Sequence, residues 1–469
     1  MEETKRLLRK LVPALGKGST NALWHSYLAS SDLKSKQDDV DILRIIADRK
    51  AKNGYAKNII LPPPDKKQTE GEYPLGDVLY ADKIYSEFGL CEDEWIKHML
   101  IVGMTGTGKT NTVFQIIKEL KKHDKPFLIF DWKKNCRDLL QFPEFKDTFV
   151  FTIGAKTSSF YFNPLIPPPG VDTKLWLGRI IDVICHAYFA GHGVEYFLRD
   201  ALNDLYERFG VYKGKKVYPT FRDMEKVLKK EFVKGREMLW MASVKRILAS
   251  LTFPGLFGDV LNVRKRSKLH KLLNKNVILE MDNLATSDKV FFIEALMLWI
   301  YEYRKNQTKR EEFKHAIIIE EAHHMLSGKK ERTKGEETII ETIIRMIREF
   351  GESIIAIDQE PNKLSDSIKA NTYCKICFNL GNGKDIVDIS KCMSLEPEEM
   401  GFIDRLNIGQ AIVKLKGRFN EPVLVQFPKF EIKKGVVNDE TLKQAMDRHN
   451  DELDSIFNIE PLENSEKAV

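Results

Sequence analysis

The amino-acid sequence predicts an α/β fold in which helices cover both faces of a mainly parallel β-sheet. Short apolar runs of strand type alternate with segments of helical spacing across the middle and second half of the chain. A glycine-rich loop at residues 103–110 follows one apolar run and precedes a helical segment, as in a strand–loop–helix unit. Apolar residues make up 43% of the 469 residues, which is enough to bury a large core.

The predicted strands are short apolar runs bounded by polar or turn residues. They are expected at residues 98–102, 126–131, 149–153, 277–281, 316–319, 353–357, 374–380 and 410–415. Helical spacing follows the glycine loop, and a second long helix is expected at about residues 289–305. Residues 172–255 hold few strand signals and predict a helical insertion between core strands.

The predicted organisation has five parts. Residues 1–74 form a helical N-terminal region and a linker, with helical spacing at 5–15 and 38–52. Residues 75–170 and 261–433 form the two parts of the core, and residues 171–260 form the insertion between them. Residues 434–469 form a C-terminal helix, from near Asn438 to about Phe457, and an acidic, polar tail.

The composition indicates in which compartment the protein works and which partners it has. The net charge of +6 is too mild to indicate nucleic-acid binding by itself. Six cysteines in so long a chain indicate a reducing compartment, and a charged start and the lack of an 18-residue apolar stretch predict a cytoplasmic protein with no membrane partner. Cys374 and Cys377 form a C-x-x-C in a strand-like run without a second pair, so we interpret them as structural.

The glycine-rich loop fits the phosphate-binding pattern G-x-x-x-x-G-K-[ST] at every fixed position. Its glycines let the backbone curl so that consecutive N–H groups face an anion, and the following helix adds positive charge. Lys109 is expected to reach the β- and γ-phosphates and Thr110 to bind Mg²⁺. We therefore predict a nucleoside triphosphate site formed by Gly103, Thr105, Gly106, Thr107, Gly108, Lys109, Thr110 and Asn111.

A pair of acids ends the apolar run at residues 316–319. We predict that Glu320 holds Mg²⁺ and that Glu321 deprotonates the attacking water, while a solvated acidic pair is the alternative. Gln359 ends the next strand and is a candidate to sense the γ-phosphate or hold the water; a turn-closing hydrogen bond is its structural alternative. A hydrolytic base argues against a kinase, and the absence of an N-K-x-D motif argues against a GTPase.

Two arginines lie on one face of the helix expected before the strand at residues 353–357. Arg345 and Arg348 are three residues apart, so they are neighbours on the helix surface. Either could reach a phosphate on a neighbouring subunit of a ring, where it would meet charge that develops in the transition state. Surface salt bridges are the alternative for each of them taken singly.

Together these pieces, in this order, resemble the HerA branch of the HerA/FtsK superfamily of ring ATPases. The loop with its preceding run, HMLIVGMTGTGKT at 98–110, is similar to that branch's H-x-L-I-x-G-x-T-G-S-G-K. Further resemblances are FDW at 130–132, NPL at 163–165, EEAH at 320–323, the block from Arg345 to Gly351 followed by DQEP at 358–361, and GQAIV at 409–413. The resemblance covers roughly residues 75–430.

The resemblance implies a RecA-like core, a homo-hexamer that hydrolyses ATP with Mg²⁺, and a motor that moves double-stranded DNA through its pore. It also implies a nuclease or other effector partner, in DNA repair or antiviral defence. Pore contacts are expected first from the basic loop after the acid pair, at Lys329, Lys330, Arg332 and Lys334, and second from residues 264–271, with solvated charged loops as the alternative for both.

Two departures from the family pattern limit what can be carried over. Residues 1–70 look helical where the family has a β-barrel, and Glu360 stands where an arginine is common. Two other functions share the same core: a secretion or conjugation traffic ATPase, and a regulatory ATPase ring that scaffolds an effector. Stimulation of hydrolysis by duplex DNA separates the DNA motor from both.

Overall fold

The computed structural model describes residues 2–30, 32–52, 61–81, 83–327, 338–419 and 421–457. Its strands are β1 (Tyr73–Tyr80), β2 (Lys83–Leu90), β3 (Met99–Val102), β4 (Phe127–Asp131), β5 (Phe149–Thr152), β6 (Val277–Glu280), β7 (His315–Ile319), β8 (Glu352–Asp358), β9 (Cys374–Cys377), β10 (Gln410–Leu415) and β11 (Val423–Gln426). These strands form one sheet in the order β2-β1-β11-β10-β9-β3-β8-β7-β4-β6-β5.

The sheet is mixed but mostly parallel, which confirms the predicted fold class. From β9 to β5 every neighbouring pair is parallel. Strands β10, β11, β1 and β2 continue the sheet in antiparallel fashion. Because parallel strands end at the same edge, the carboxyl ends of β3, β4, β7 and β8 lie together, which positions the residues that follow them.

Strands β1, β2 and β11 were not predicted. In β1, Pro74 and Gly76 interrupt the apolar pattern, and the register against β2 shifts between these two residues. Proline and glycine are depleted in regular strands and concentrate at such bulges, so a pattern-based prediction has little signal here.

The helices of the described residues alternate with the strands and flank the sheet. They are α1 (Glu2–Ala29), α2 (Leu33–Lys52), α3 (Glu92–Trp95), α4 (Lys109–Lys122), α5 (Thr173–Ala187), α6 (His192–Arg208), α7 (Phe221–Lys230), α8 (Glu237–Leu251), α9 (Phe257–Leu261), α10 (Thr286–Lys305), α11 (Ile339–Ile347), α12 (Asp366–Asn371), α13 (Gly383–Met393), α14 (Pro397–Met400), α15 (Asp439–Asp447) and α16 (Asn450–Phe457). None of them is both long enough and apolar enough to cross a membrane.

The helical insertion lies between β5 and β6 and consists of α5 to α9. It packs on α10, the long helix that precedes β7. Because α10 lies between the insertion and the core, it is buried on every side, with Phe291, Phe292 and Trp299 all at most 3% exposed. A helix buried on every side needs no polar face, which explains why the sequence of α10 is not amphipathic.

Separate apolar clusters lie on the two faces of the sheet. Cys377 belongs to the cluster that includes α10 and the insertion, whereas Cys374 belongs to the cluster around α4. The two cysteines are three residues apart on β9, so they point to opposite faces and cannot share a ligand. Both are buried and free, in agreement with the structural interpretation.

The two ends of the described chain are helical. Helices α1 and α2 pack through Leu8, Leu11 and Leu43, and Tyr80 donates a hydrogen bond to the carbonyl of Arg9 at 2.9 Å, which links this hairpin to β1. The single C-terminal helix that we predicted is instead two helices, α15 and α16, divided at residues 448–449. Asn438 caps the first of them as predicted, and the tail from 458 lies outside the described residues.

Candidate active site

The carboxyl ends of β3, β4, β7 and β8 surround a cavity of about 570 Å³. The loop after β3, the residues that follow β4 and β7, and the end of β8 supply one side. Residues 408–409 and the segment after β11 supply the other. The lining includes Thr105, Gly106, Gly108, Lys109, Thr110, Asn111, Lys133, Glu320, Glu321, Gln359, Ile408, Gln426, Lys429 and Lys434. A cavity at this edge of a parallel sheet is the usual place for a ligand.

The glycine loop curls between β3 and the first turn of α4. Gly106 and Gly108 have φ angles of 84° and 126°, which side chains other than glycine rarely adopt. A Cβ on Gly108 would also lie 3.2 Å from the ring of Phe378 and from Cα of Gly409, so the conformation favours glycine and little space is left for a side chain. The hydroxyl of buried Thr107 donates a hydrogen bond to the carbonyl of Met104 at 2.8 Å. This side chain therefore stabilises the conformation of the loop.

Lys109 points back over the loop into the cavity. Its Nζ donates to the carbonyl of Met104 at 2.9 Å and to that of Gly103. Burial lowers the pKa of Lys109 to about 8, against the opposing effect of the nearby Glu321 carboxylate. A phosphate bound in the curl of the loop would supply the strong negative partner that the ammonium lacks.

Two acidic side chains lie close together beneath the cavity. Burial, followed by the charge of Asp131, raises the pKa of Glu320 to about 8, and burial also raises the pKa of Asp131. Glu320 accepts a hydrogen bond from the backbone N–H of Trp132 at 3.2 Å, and Asp131 accepts one from Cys136 at 2.7 Å. Two such carboxyls cannot both ionise without a compensating cation.

This donor set fits Mg²⁺. The carboxyl of Glu320 and the exposed hydroxyl of Thr110 both line the cavity, and they are oxygen ligands of the kind that Mg²⁺ prefers. Within the described residues no three His, Cys, Asp or Glu side chains form a complete metal cage. That also suits Mg²⁺, which keeps several waters and takes further oxygens from phosphates. Asp131 was not among the predicted site residues, although its position at the end of an apolar strand is the same signal that identified Glu320.

Glu321 is the centre of a hydrogen-bond chain. Its Oε1 accepts from Nζ of Lys133 at 2.5 Å and from Nε2 of Gln359 at 2.6 Å. The other end of Gln359 accepts a hydrogen bond from Thr105 of the glycine loop at 2.6 Å. Glu321 itself has a φ of 50°, a left-handed conformation that is strained for a glutamate and typical of functional sites. The chain thus links the loop, both strand ends and the predicted base.

A contact between the partly buried His323 and the buried Asp358 supports this strand end. Nδ1 of His323 lies 3.0 Å from Oδ2 of Asp358, which also accepts the backbone N–H of His323 at 2.6 Å. Burial would lower the pKa of His323, but the hydrogen bond and charge of Asp358 and the charge of Glu321 outweigh it, so the pKa is raised. The pair fixes the turn that carries Glu321. Neither residue was predicted, because their contact joins β8 to the turn after β7.

Comparison with known proteins identifies the core. The family model described as "Helicase HerA, central domain" matches residues 75–148, which contain β3, the glycine loop and α4. This part of the chain is therefore similar to the central domain of the HerA helicase. No curated protein sequence matches it.

Solved structures share the fold of this chain. The unbound bacterial conjugative coupling protein TrwBΔN70 has 11% identity and a TM-score of 0.56, over 79% of this chain and 92% of that one. VirB4 of Thermoanaerobacter pseudethanolicus has 14% identity and a TM-score of 0.58, over 77% and 97%. TrwB bound to a non-hydrolysable ATP analogue has 13% identity and a TM-score of 0.58, over 79% and 93%.

Two of the residues predicted to contact the nucleotide, Asn111 and Gly103, also have contacts within the protein. The side chain of Asn111 donates to the carbonyl of Pro428 at 2.5 Å and accepts the N–H of Phe430. It lines the cavity but serves to hold the segment after β11 against α4. Gly103 does not line the cavity and lies beneath it, where a Cβ would be 2.6 Å from Cβ of Phe378.

The predicted arginines lie at the opposite edge of the sheet. His98, directly before β3, lies 2.7 Å from the carbonyl of Ile344, which places α11 at the amino end of β3. Arg345 and Arg348 are exposed there and do not line the cavity of their own chain. The structure therefore does not bring them to the glycine loop that begins at the other end of β3.

The predicted DNA contacts are only partly described. Lys329, Lys330, Arg332 and Lys334 lie outside the described residues. In the second basic segment, Arg264 pairs with Asp223 at 2.9 Å and Arg266 contacts the hydroxyl of Tyr218 at 2.9 Å. Both arginines bind neighbouring parts of the fold, which favours the structural interpretation of that segment.

Proposed function

We propose that this chain hydrolyses ATP with Mg²⁺ and uses the energy to move duplex DNA, as a homo-hexameric ring. The observation that carries the hydrolytic part is the contact of Glu321 with Gln359 beside a complete phosphate-binding loop. The DNA part is supported by the match to the central domain of the HerA helicase. TrwB, which shares the fold, has been solved with ADP and Mg²⁺ and with a non-hydrolysable ATP analogue, and we propose the same ligands here.

Each residue of the cavity then has a role. The N–H groups of the glycine loop and Lys109 bind the β- and γ-phosphates, and Thr110 and Glu320 hold Mg²⁺, which neutralises phosphate charge when it is bound. Gln359 orients a water against the γ-phosphorus, and Glu321 takes its proton as the new P–O bond forms. The bond to the bridging oxygen breaks, and that oxygen leaves with the electron pair on ADP.

The ring part of the proposal is supported by the position of the two arginines. Arg345 and Arg348 are exposed at the sheet edge opposite to their own phosphate loop. From there either can complete only the site of a neighbouring subunit. A ring supplies such a neighbour for every site, and a cation from the neighbour would couple hydrolysis to subunit contacts.

The test is ATPase activity with and without duplex DNA. We expect stimulation by DNA in the intact protein, and in Glu321→Gln a kcat at least about a hundredfold lower with ATP affinity retained. The exposed pair of Arg208 and Asp204 supplies a control, since Arg208→Gln should change neither. Hydrolysis that ignores DNA would reject the motor and favour the traffic or regulatory ATPase. Normal turnover in Glu321→Gln would reject the base.

We also propose that a nuclease or a comparable effector protein works with the ring. Co-purification with the product of an adjacent gene, followed by imaging with ATP and DNA, tests this directly, and a ring that forms and moves DNA alone would reject the requirement for a partner.

A further inference from the structure

We propose that Lys133 is a second cation, beside Lys109, that this chain supplies to the γ-phosphate, and that it does so by leaving Glu321. The inference deepens the proposed function and rests on it. In the structure Lys133 pairs with the hydrolytic base, and in the proposed ATP-bound arrangement it contacts the terminal phosphate. The same movement binds the phosphate and releases the base.

The position of Lys133 is the first support. It follows β4 directly after the Asp131–Trp132 strand end, and its side chain lines the cavity. Its Nζ lies 2.5 Å from Oε1 of Glu321, which follows the neighbouring parallel strand β7. The ammonium is therefore inside the space where phosphates would bind, between the glycine loop and the acid pair.

The state of Glu321 is the second support. Its Oε1 already accepts hydrogen bonds from Lys133 and Gln359, and the side chain of Glu321 is only 13% exposed. Both hydrogen bonds are on Oε1, so this oxygen is engaged and the charge of Glu321 is compensated while Lys133 stays in place. Departure of either donor would free Oε1 for the attacking water.

The third support is that Lys133 is the donor best able to move. Its side chain is 49% exposed, and lysine is a point charge on a flexible four-carbon stem. Its backbone is fixed, because the N–H of Lys133 donates to Asp131 at 3.1 Å. Gln359, in contrast, is held at its other end by Thr105. A γ-phosphate carries more charge than one carboxylate and offers three oxygens, so it competes well for the ammonium.

No arginine lines the cavity among the described residues, and this is the fourth support. Of the other lysines that do, Lys109 is bound to the loop carbonyls and Lys429 pairs with Glu431 at 2.9 Å. Lys434 lies in the segment after β11, which forms the other side of the cavity. Lys133 is the cavity lysine whose partner is the base itself. The chain thus offers one cation whose transfer changes both the phosphate and the base.

The experiment measures affinities for ADP and for a non-hydrolysable ATP analogue, with Mg²⁺, in the full chain. In Lys133→Met we expect the analogue to bind at least about tenfold more weakly while ADP changes less than about twofold. In Lys133→Arg the preference for the analogue should be partly kept. Loss of one charge-stabilising donor typically lowers kcat by about 10²–10³-fold, so we expect that range for Lys133→Met. The neighbouring Lys134→Met is the control, because Lys134 pairs with Asp439 outside the cavity.

Each outcome supports or overturns the assignment. An unchanged preference for the analogue in Lys133→Met overturns it, as does an equal loss of affinity for ADP and the analogue. A kcat above that of the intact protein would mean that Lys133 only inhibits Glu321, and this result also overturns the assignment. If the intact protein lacks ATPase activity but its preference for the analogue depends on Lys133, the hydrolytic function fails and the phosphate contact stands. Unfolding midpoints of the three variants show whether each is folded.

Discussion

Replacing Glu320 by glutamine is expected to stabilise the ligand-free protein, although it should abolish the proposed Mg²⁺ site. Burial and the charge of Asp131 raise the pKa of Glu320 from 4.5 to about 8. Between these values the folded protein holds a proton that the unfolded chain has released, so stability falls as the pH rises through this window. At pH 7, about 2.5 pH units above the ordinary pKa of 4.5, this costs about 3 kcal/mol, since one pKa unit is about 1.4 kcal/mol.

The assay is the unfolding free energy of the intact protein and of Glu320→Gln between pH 4.5 and 8, with a chelator present. The variant should be more stable at pH 7 by up to about 3 kcal/mol, and the two curves should converge as the pH falls to 4.5 and below, where the unfolded chain also takes up the proton. With Mg²⁺ and an ATP analogue the order should reverse, because only the intact protein gains from the metal. Glu452→Gln, which alters a partly exposed carboxylate paired with Lys275, should follow the intact protein throughout. Parallel pH curves for the intact protein and Glu320→Gln would refute the reasoning.

Two further predictions concern the loop and the core. Gly103→Ala should weaken binding of ADP and ATP together, because the added methyl would lie 2.6 Å from Cβ of Phe378 and shift the loop; unchanged nucleotide affinity in a titration would contradict this. Arg137→Met should lower the unfolding free energy by about 3–5 kcal/mol, because it leaves the carboxylate of Glu280 buried without its partner at 2.5 Å. The exposed Arg208→Met is its control, and an equal effect of the two changes in urea unfolding would count against the argument.

The parallel part of the sheet and its phosphate loop could be predicted from sequence because their signals are local. Each buried parallel strand is a nearly continuous apolar run, and the loop sits in a strand–loop–helix context within a few residues. The same applies to the long helix α10 and to the cap at Asn438. Where local pattern and tertiary position agree, a single sequence is sufficient.

The remaining features depend on contacts between distant parts of the chain. The pairing of Lys133 with Glu321 spans 188 residues, and no periodicity signals it. The antiparallel strands β1, β2 and β11 are stabilised by one another across the sheet and carry weak patterns of their own. The break between α15 and α16 is likewise set by what these helices cover, since Met446 contacts the N–H of Val150 on the edge strand β5.

The hydrogen bonds of Asn111 to Pro428 and Phe430 have a consequence for when the nucleotide cavity forms during synthesis. Asn111 belongs to the first turn of the phosphate-loop helix, yet its two partners are made 317 and 319 residues later. Three residues after β4 likewise bond to residues that are made about 300 positions later: Gln141 to Lys433, Asp138 to Gly435 and Val437, and Arg137 to Asp439. A growing chain therefore carries its phosphate loop with one wall of the cavity absent until the segment after β11 has been made. The pocket closes only after residue 434 has emerged, so a chain that ends before it has no complete nucleotide site.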